Sequence, residues 1–202
     1  MPAPTTIPLF PLNAVLFPQG PLKLRIFETR YLDMIKRCMR EDLNFGVAMI
    51  VEGVEAGGPA RTADIGTSAR IVDFEKLDDG LLGITAVGAQ RFAIDVRTQQ
   101  ADALNIVDVN WLEPESALPV PDDCAYLVML LQQALPRLAP LYDYTPVNYE
   151  DASWVGSRLV EILPLPLDEK QQCLEMNDPL ERMEYLRARV KVETVENDGG
   201  LQ

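Results

Sequence analysis

The sequence predicts an α+β protein, with a β-rich first half and an α-helical second half. Three observations carry this. Short β-patterned runs separated by turn residues fill the chain as far as Trp111. Pro114, Pro119 and Pro121 then form a linker-like break. Beyond it, apolar residues recur at helical spacing with no convincing strand. The expected division is 1–113 for the β-rich part and 114–202 for the helical part, and 202 residues are ample for a core.

Ile7-Pro8-Leu9-Phe10-Pro11-Leu12 is apolar but punctuated by proline, so it must be extended. Leu22 to Phe27 alternates as a half-buried strand does. From Thr29 the period changes, and Tyr31, Leu32, Ile35, Cys38 and Met39 fall on one face of a helix ending near Arg40. Phe45 to Val51 is a continuous apolar run, the pattern of a strand buried on both sides, and Gly53 to Gly66 reads as a loop. Ala69 to Leu77 and Leu81 to Val87 flank Asp78-Asp79-Gly80, a hairpin signal. Gly88-Ala89-Gln90 is expected to turn the chain before a strand at Arg91 to Val96, and Asn105 to Trp111 completes a meander. About six strands and one early helix predict a small, highly curved sheet or half-open barrel.

In the second half, Tyr126 to Leu138 and Trp154 to Leu163 carry two helical stripes, and Leu167 to Met176 predicts a short helix. The last helix has a marked start, with Asp178 as N-cap, Pro179 at the first position and Glu181 placed to close a capping box. The acidic stretch from Glu193 to Gln202 is expected to fray.

Composition narrows the chemistry. Net charge is −13, and it is uneven: residues 1–110 hold 11 Lys/Arg against 14 Asp/Glu, residues 111–202 hold 7 against 17. A nucleic-acid binder draws its affinity from basic residues on phosphates, so nucleic acid is not expected as a partner. The acidity either keeps the surface solvated or offers a docking face to a basic partner. No stretch approaches the roughly 20 apolar residues of a membrane span, and residues 1–6 lack the charged and apolar regions of a signal peptide, so a cytoplasmic location is expected. Cys38, Cys124 and Cys173 are odd in number and widely spaced, which fits reduced packing residues.

There is no histidine. Ser-His-Asp and Cys-His nucleophilic sites and every His-ligated metal centre are therefore excluded. No phosphate-cradling glycine motif, nucleophile elbow or Cys-x-x-Cys pair occurs, so no catalytic residue, metal ligand or cofactor is expected. Three local features remain. Phe27, Glu28, Arg30 and Tyr31 stand at a strand-to-helix junction and either line a recognition groove or serve packing, with Glu28 at a helix start and Arg30 paired to an acid. Arg91 and Phe92 either help form a binding edge or pack within a strand. Trp111 and Trp154 read as core or interface anchors.

Leu9-Phe10-Pro11-Leu12, Val15-Leu16-Phe17-Pro18, Ile26-Phe27-Glu28 with Arg30-Tyr31, and Phe45-Gly46-Val47 together resemble the opening of the Lon protease N-terminal domain. Ile65-Gly66-Thr67, Ile71-Val72, Asp79-Gly80 and Gly88-Ala89-Gln90-Arg91-Phe92 follow in the order of that family. Leu163-Pro164-Leu165 and Asp178-Pro179-Leu180-Glu181-Arg182 carry the likeness more loosely into the helical half. Arg25 and Thr29 depart from stand-alone relatives, which often carry His and Pro near this motif. The resemblance implies an N-terminal PUA-like β pseudo-barrel followed by a C-terminal α-helical bundle. It implies a Lon-domain protein without the ATPase and Ser–Lys protease domains, recognising unfolded or damaged polypeptides, with a protease or chaperone as a possible partner. The alternative, open to the same fold, is a small-molecule or RNA-binding domain.

Overall fold

Proline placement shapes the first strand's pairing. In the computed structural model, which describes residues 5–55 and 60–190, β1 (Thr5–Leu12) changes partner midway along its length. Thr5 to Leu9 run antiparallel to β7 (Asn105–Trp111), whereas Leu9 to Leu12 run parallel to β3 (Phe45–Gly53). Pro8 and Pro11, which lack a backbone donor, thus fall in stretches with one neighbour each. Pairing continues from β7 to β6 (Leu82–Gln99), from β6 to β5 (Ile65–Lys76) and from β5 back to β3. The ladder therefore closes on itself through β1, and the sheet is mostly antiparallel. Two strands stand outside this ring: β2 (Pro21–Ile26) pairs with the first half of β6, and β4 (Ala60–Thr62) with the end of β3.

The described residues form seven strands against the expected about six: β4, a three-residue strand inside the expected Gly53–Gly66 loop, is too short to carry a period. A second expectation fails at Gly88. The segment does not turn there; β6 runs unbroken through it for 18 residues. Its glycine serves close approach instead. A Cβ at position 88 would collide with the Phe17 carbonyl, and the backbone exchanges hydrogen bonds with the passing chain, from Gln19 N to Gly88 O at 2.7 Å and from Gly88 N to Gly20 O at 2.9 Å. The Asp78-Asp79-Gly80 turn is made as expected, with Gly80 at φ 85° and Leu77 N bonding Leu81 O at 2.9 Å.

Helix α1 (Thr29–Glu41) lays Tyr31, Met34, Ile35 and Cys38 onto one sheet face, where they pack with Phe10, Ile26, Phe45 and Ile84. A smaller apolar cluster of Ile7, Leu9, Phe92, Val107 and Val109 fills another part of the sheet. The remaining helices, α2 (Ala125–Ala134), α3 (Ala152–Ile162), α4 (Leu167–Glu175) and α5 (Pro179–Arg189), share a third core built on Leu127, Val155, Leu159, Leu174 and Met183. Asp151 and Asp178 cap α3 and α5 by accepting from Ser153 N at 3.0 Å and Leu180 N at 2.8 Å. Phe17, contributed by the β1–β2 connection, is fully buried in the helical core, so one aromatic ring ties the two halves. All three cysteines are free and buried, and burial pushes their thiols up.

Candidate functional site

The strand-to-helix junction is built from a change of backbone rather than a turn. Ile26 ends β2, Glu28 stays extended at φ −83°, ψ 134°, and the helix begins at Thr29. Glu28 does not cap α1 with its side chain; its carboxylate takes Arg30 Nη2 at 2.8 Å. Arg30 Nη1 donates to Ala103 O at 2.9 Å, fixing the helix start to the β6–β7 connection. The guanidinium also lies 4.7 Å from the centroid of the Tyr31 ring. Tyr31 is only 3% exposed and stacks on Phe10, with centroids 3.9 Å apart and planes 12° from parallel. Burial pushes the Tyr31 phenol up, against the lowering effect of Arg30. Phe27 differs from all of these: 57% of it is exposed.

Beside it runs a groove of about 300 Å³ whose lining joins the apolar Phe10, Leu12, Leu24, Ile26, Phe27 and Tyr31 to the charged Lys23, Arg25, Glu28 and Glu55. It follows β2, which has one paired edge, toward β6, among the described residues. An unpaired strand edge beside apolar walls is the geometry by which an extended peptide can be added to a sheet. It needs no titrating side chain.

Arg91 and Phe92 do not join this groove. They lie on opposite faces of β6, and both are committed to packing. Phe92 is 0% exposed, edge-on to Trp111 at 6.2 Å, and belongs to the Ile7–Leu9–Val107 cluster. Arg91, 4% exposed, donates through Nη1 to Leu174 O at 2.7 Å and Met176 O at 2.8 Å, and through Nη2 to Asn177 at 3.2 Å. It thereby satisfies carbonyls at the end of α4. Both side chains are thus engaged in packing, the second of the two roles that the sequence leaves open for this pair.

Arg91 instead marks a buried polar network between the halves, which sequence reasoning missed. Arg182 and Arg158 are both fully buried. Arg182 grips Glu115 through two bonds, at 2.5 and 2.9 Å, and Ser153 Oγ adds a third at 2.6 Å. Burial alone would push the Glu115 carboxyl up, but Arg182 holds it below the usual carboxylate range. Arg158 donates to Pro18 O at 2.9 Å and to Glu161 Oε1 at 2.7 Å, while Tyr142 donates to Glu161 Oε2 at 3.0 Å. At Glu161 burial wins, and the carboxyl is pushed up despite Arg158. A signal existed: Arg158 stands three residues after Val155 and Arg182 four before Leu186, both on apolar stripes. A cavity of about 230 Å³ adjoins the network, lined by Gln19, Gln90, Glu113, Trp154 and others. Among the described residues no group of three or more Cys, Asp or Glu is placed to hold a metal ion.

Comparison with known proteins agrees with this architecture. The family model for the substrate-binding domain of ATP-dependent protease La (LON) matches residues 6–191. Lon protease 2 of Myxococcus xanthus is 25% identical over 196 residues, covering 94% of this chain and 23% of that protein. Lon protease of Escherichia coli (strain K12) is 25% identical over 197 residues, covering 93% of this chain and 25% of its own length. The chain thus spans about a quarter of the curated relatives it matches. Among solved structures, a Lon N-terminal domain protein from Xanthomonas campestris superimposes with a TM-score of 0.77 at 34% identity, covering 93% of this chain and 99% of that one. The N-terminal domain of Mycobacterium avium complex Lon protease shares the fold at a TM-score of 0.64 and 19% identity, over 90% and 96% of the two chains. On the match from residue 6 to residue 191, this chain belongs to the Lon substrate-binding domain family.

Proposed function

We propose that this protein is a non-catalytic polypeptide-recognition module. It binds exposed apolar segments of unfolded or damaged proteins in the groove along β2, and it acts in the cytoplasm as a recognition unit or adaptor for a protease or chaperone. The observation that carries the reading is the unpaired edge of β2 beside the exposed ring of Phe27, in a chain of the Lon substrate-binding family. The absence of histidine from the sequence supports a non-catalytic role. In this reading the β-rich part, divided from the rest at 113/114, is a PUA-like pseudo-barrel that presents the groove, the helices after it are a bundle that braces it, and Phe27, Glu28, Arg30 and Tyr31 shape the binding end. The expected fraying of Glu193 to Gln202 lies outside the described residues.

Fluorescence anisotropy of a labelled, permanently unfolded polypeptide, with its folded form as control, tests the proposal. Selective binding of the unfolded chain supports it; equal or absent binding overturns it. A second reading, a small-molecule site, is favoured by the cavity between the halves, whose lining mixes Trp154 with Gln19, Gln90 and Glu113. RNA is disfavoured by the net charge of −13.

A further inference from the structure

The acidity of this chain is interrupted once. Between Lys23 and Arg40 there are six Lys/Arg against two Asp/Glu, a local +4 in a chain of net −13, so the remainder carries −17. Four of these six cations, Arg30, Lys36, Arg37 and Arg40, lie on α1 and the other two, Lys23 and Arg25, on β2; with Asp33 and Asp102 beside them the four leave a local excess of two positive charges. On α1, Arg30, Asp33, Arg37 and Arg40 recur every three or four residues and so share one side of the helix, with Lys36 beside them. They line a concave surface of about 350 Å³ whose far wall is Gln100, Asp102 and Leu104. The opposite side of α1 is buried, so Lys36, Arg37 and Arg40 stand on the side the helix leaves to solvent, while Arg30 at its base is held inward by Glu28 and Ala103 O.

The acids in this surface are already engaged. Asp33 pairs with Lys36 at 3.3 Å, and Asp102 accepts from Leu104 N at 3.1 Å. Arg40 pairs with Glu41 at 2.6 Å on the exposed surface. Arg37 makes no ion pair among the described residues. Exposed pairs between neighbours on one helix contribute little, so their cations can exchange one carboxylate for another at small cost.

We infer that the cationic face of α1 receives acidic side chains of a bound polypeptide, so that the preferred segment is an apolar stretch followed closely by Asp or Glu. This rests on the polypeptide-recognition reading above and sharpens it. Phe27 stands two residues before α1, which places apolar contact and cationic face next to each other. From the helix start to Arg37 the rise is about 12 Å, at roughly 1.5 Å per residue. An extended chain covers that distance in about four residues. Guanidinium forks suit carboxylates in particular. A long polyanion such as nucleic acid would meet the −17 of the surrounding surface, whereas two carboxylates in a polypeptide meet only the local field.

The test uses the full chain and three labelled peptides sharing one apolar stretch. Four residues beyond it they carry Asp-Glu, Asn-Gln or Lys-Lys. A labelled single-stranded oligonucleotide is the fourth probe. The expected result is that the Asp-Glu peptide binds roughly threefold to tenfold more tightly than the Asn-Gln peptide at low salt, with the advantage shrinking as salt screens it. The double variant Lys36→Glu, Arg37→Glu abolishes or inverts the preference while leaving the Asn-Gln peptide unchanged. Equal affinity for the Asp-Glu and Asn-Gln peptides overturns the inference and leaves the polypeptide-binding proposal standing. Tighter binding of the oligonucleotide than of the Asp-Glu peptide also overturns it. Failure of every peptide to bind overturns both. Because the peptide series is decisive with the unmodified protein, the outcome does not depend on the variant folding.

Discussion

Arg182 on α5 holds Glu115, four residues past the end of β7, through paired hydrogen bonds of 2.5 and 2.9 Å, with the Arg182 side chain fully buried and that of Glu115 8% exposed. The pair fastens the last helix to the segment leaving the sheet. Removing one partner strands a buried charge, which costs about 3–5 kcal/mol, whereas replacing both with apolar groups leaves none. Arg182→Met is therefore expected to lower the urea midpoint strongly. The double variant Glu115→Leu, Arg182→Met should recover much of the loss. A single variant with an unchanged midpoint would show that the pair is not buried as described.

The two junction carboxylates set opposite pH dependences. Glu115 is held below its ordinary value of 4.5, so it binds fewer protons folded than unfolded near that pH. Its contribution is present above about pH 4.5 and is lost as pH falls through the lowered folded value. Glu161 is pushed above 4.5 by burial, so its contribution is full below about pH 4.5 and declines as pH rises through the raised value. Melting temperatures across pH 3 to 7, the range of about one to three units on either side of the reference, should separate them. Glu115→Gln should flatten the acid arm, and Glu161→Gln should remove the decline toward neutral pH. The reverse pattern would contradict the assignment.

Gly88 and Gly80 are needed for different reasons, and alanine should distinguish them. At Gly88 a Cβ meets the Phe17 carbonyl, a backbone atom that cannot swing away, so Gly88→Ala is expected to cost roughly 1–3 kcal/mol by overpacking. At Gly80 the space is open, and the cost of Gly80→Ala comes from its φ of 85°, about 1–2 kcal/mol of left-handed backbone strain. Chemical denaturation measures both. Gly88→Ala should also loosen the β1–β2 connection, whose Gln19 and Gly20 bond the backbone at that position, seen as faster amide exchange at position 88 and at Gln19.

Much of this architecture was legible because it follows from local pattern. The α1 face, the Asp-Gly hairpin, the cap at Asp178 and the helical stripes are written in periods of two and 3.6 residues and in turn residues. What was illegible depends on distant chain. Gly88 looks like a turn residue in isolation, and only the passage of Phe17 makes it a close-approach residue in an unbroken strand. Arg91 and Phe92 alternate as any strand pair does, and nothing local says that α4 waits above one and a core below the other. At the β2–α1 junction the cluster was visible, but its internal division was not. Tyr31 stacks inward on Phe10 while Phe27 stays out.

That division gives the most direct measurement. A labelled unfolded polypeptide should be titrated by anisotropy against the wild-type protein and against Phe27→Ala, with circular dichroism and a melt on the same samples. Phe27 is exposed, so its truncation should leave stability within about 0.5 kcal/mol, in contrast to Phe92→Ala, which should cost about 3–5 kcal/mol from the core. The account predicts that Phe27→Ala folds normally and binds the unfolded polypeptide several-fold more weakly. Undiminished binding by Phe27→Ala would contradict it and move recognition away from the β2 groove.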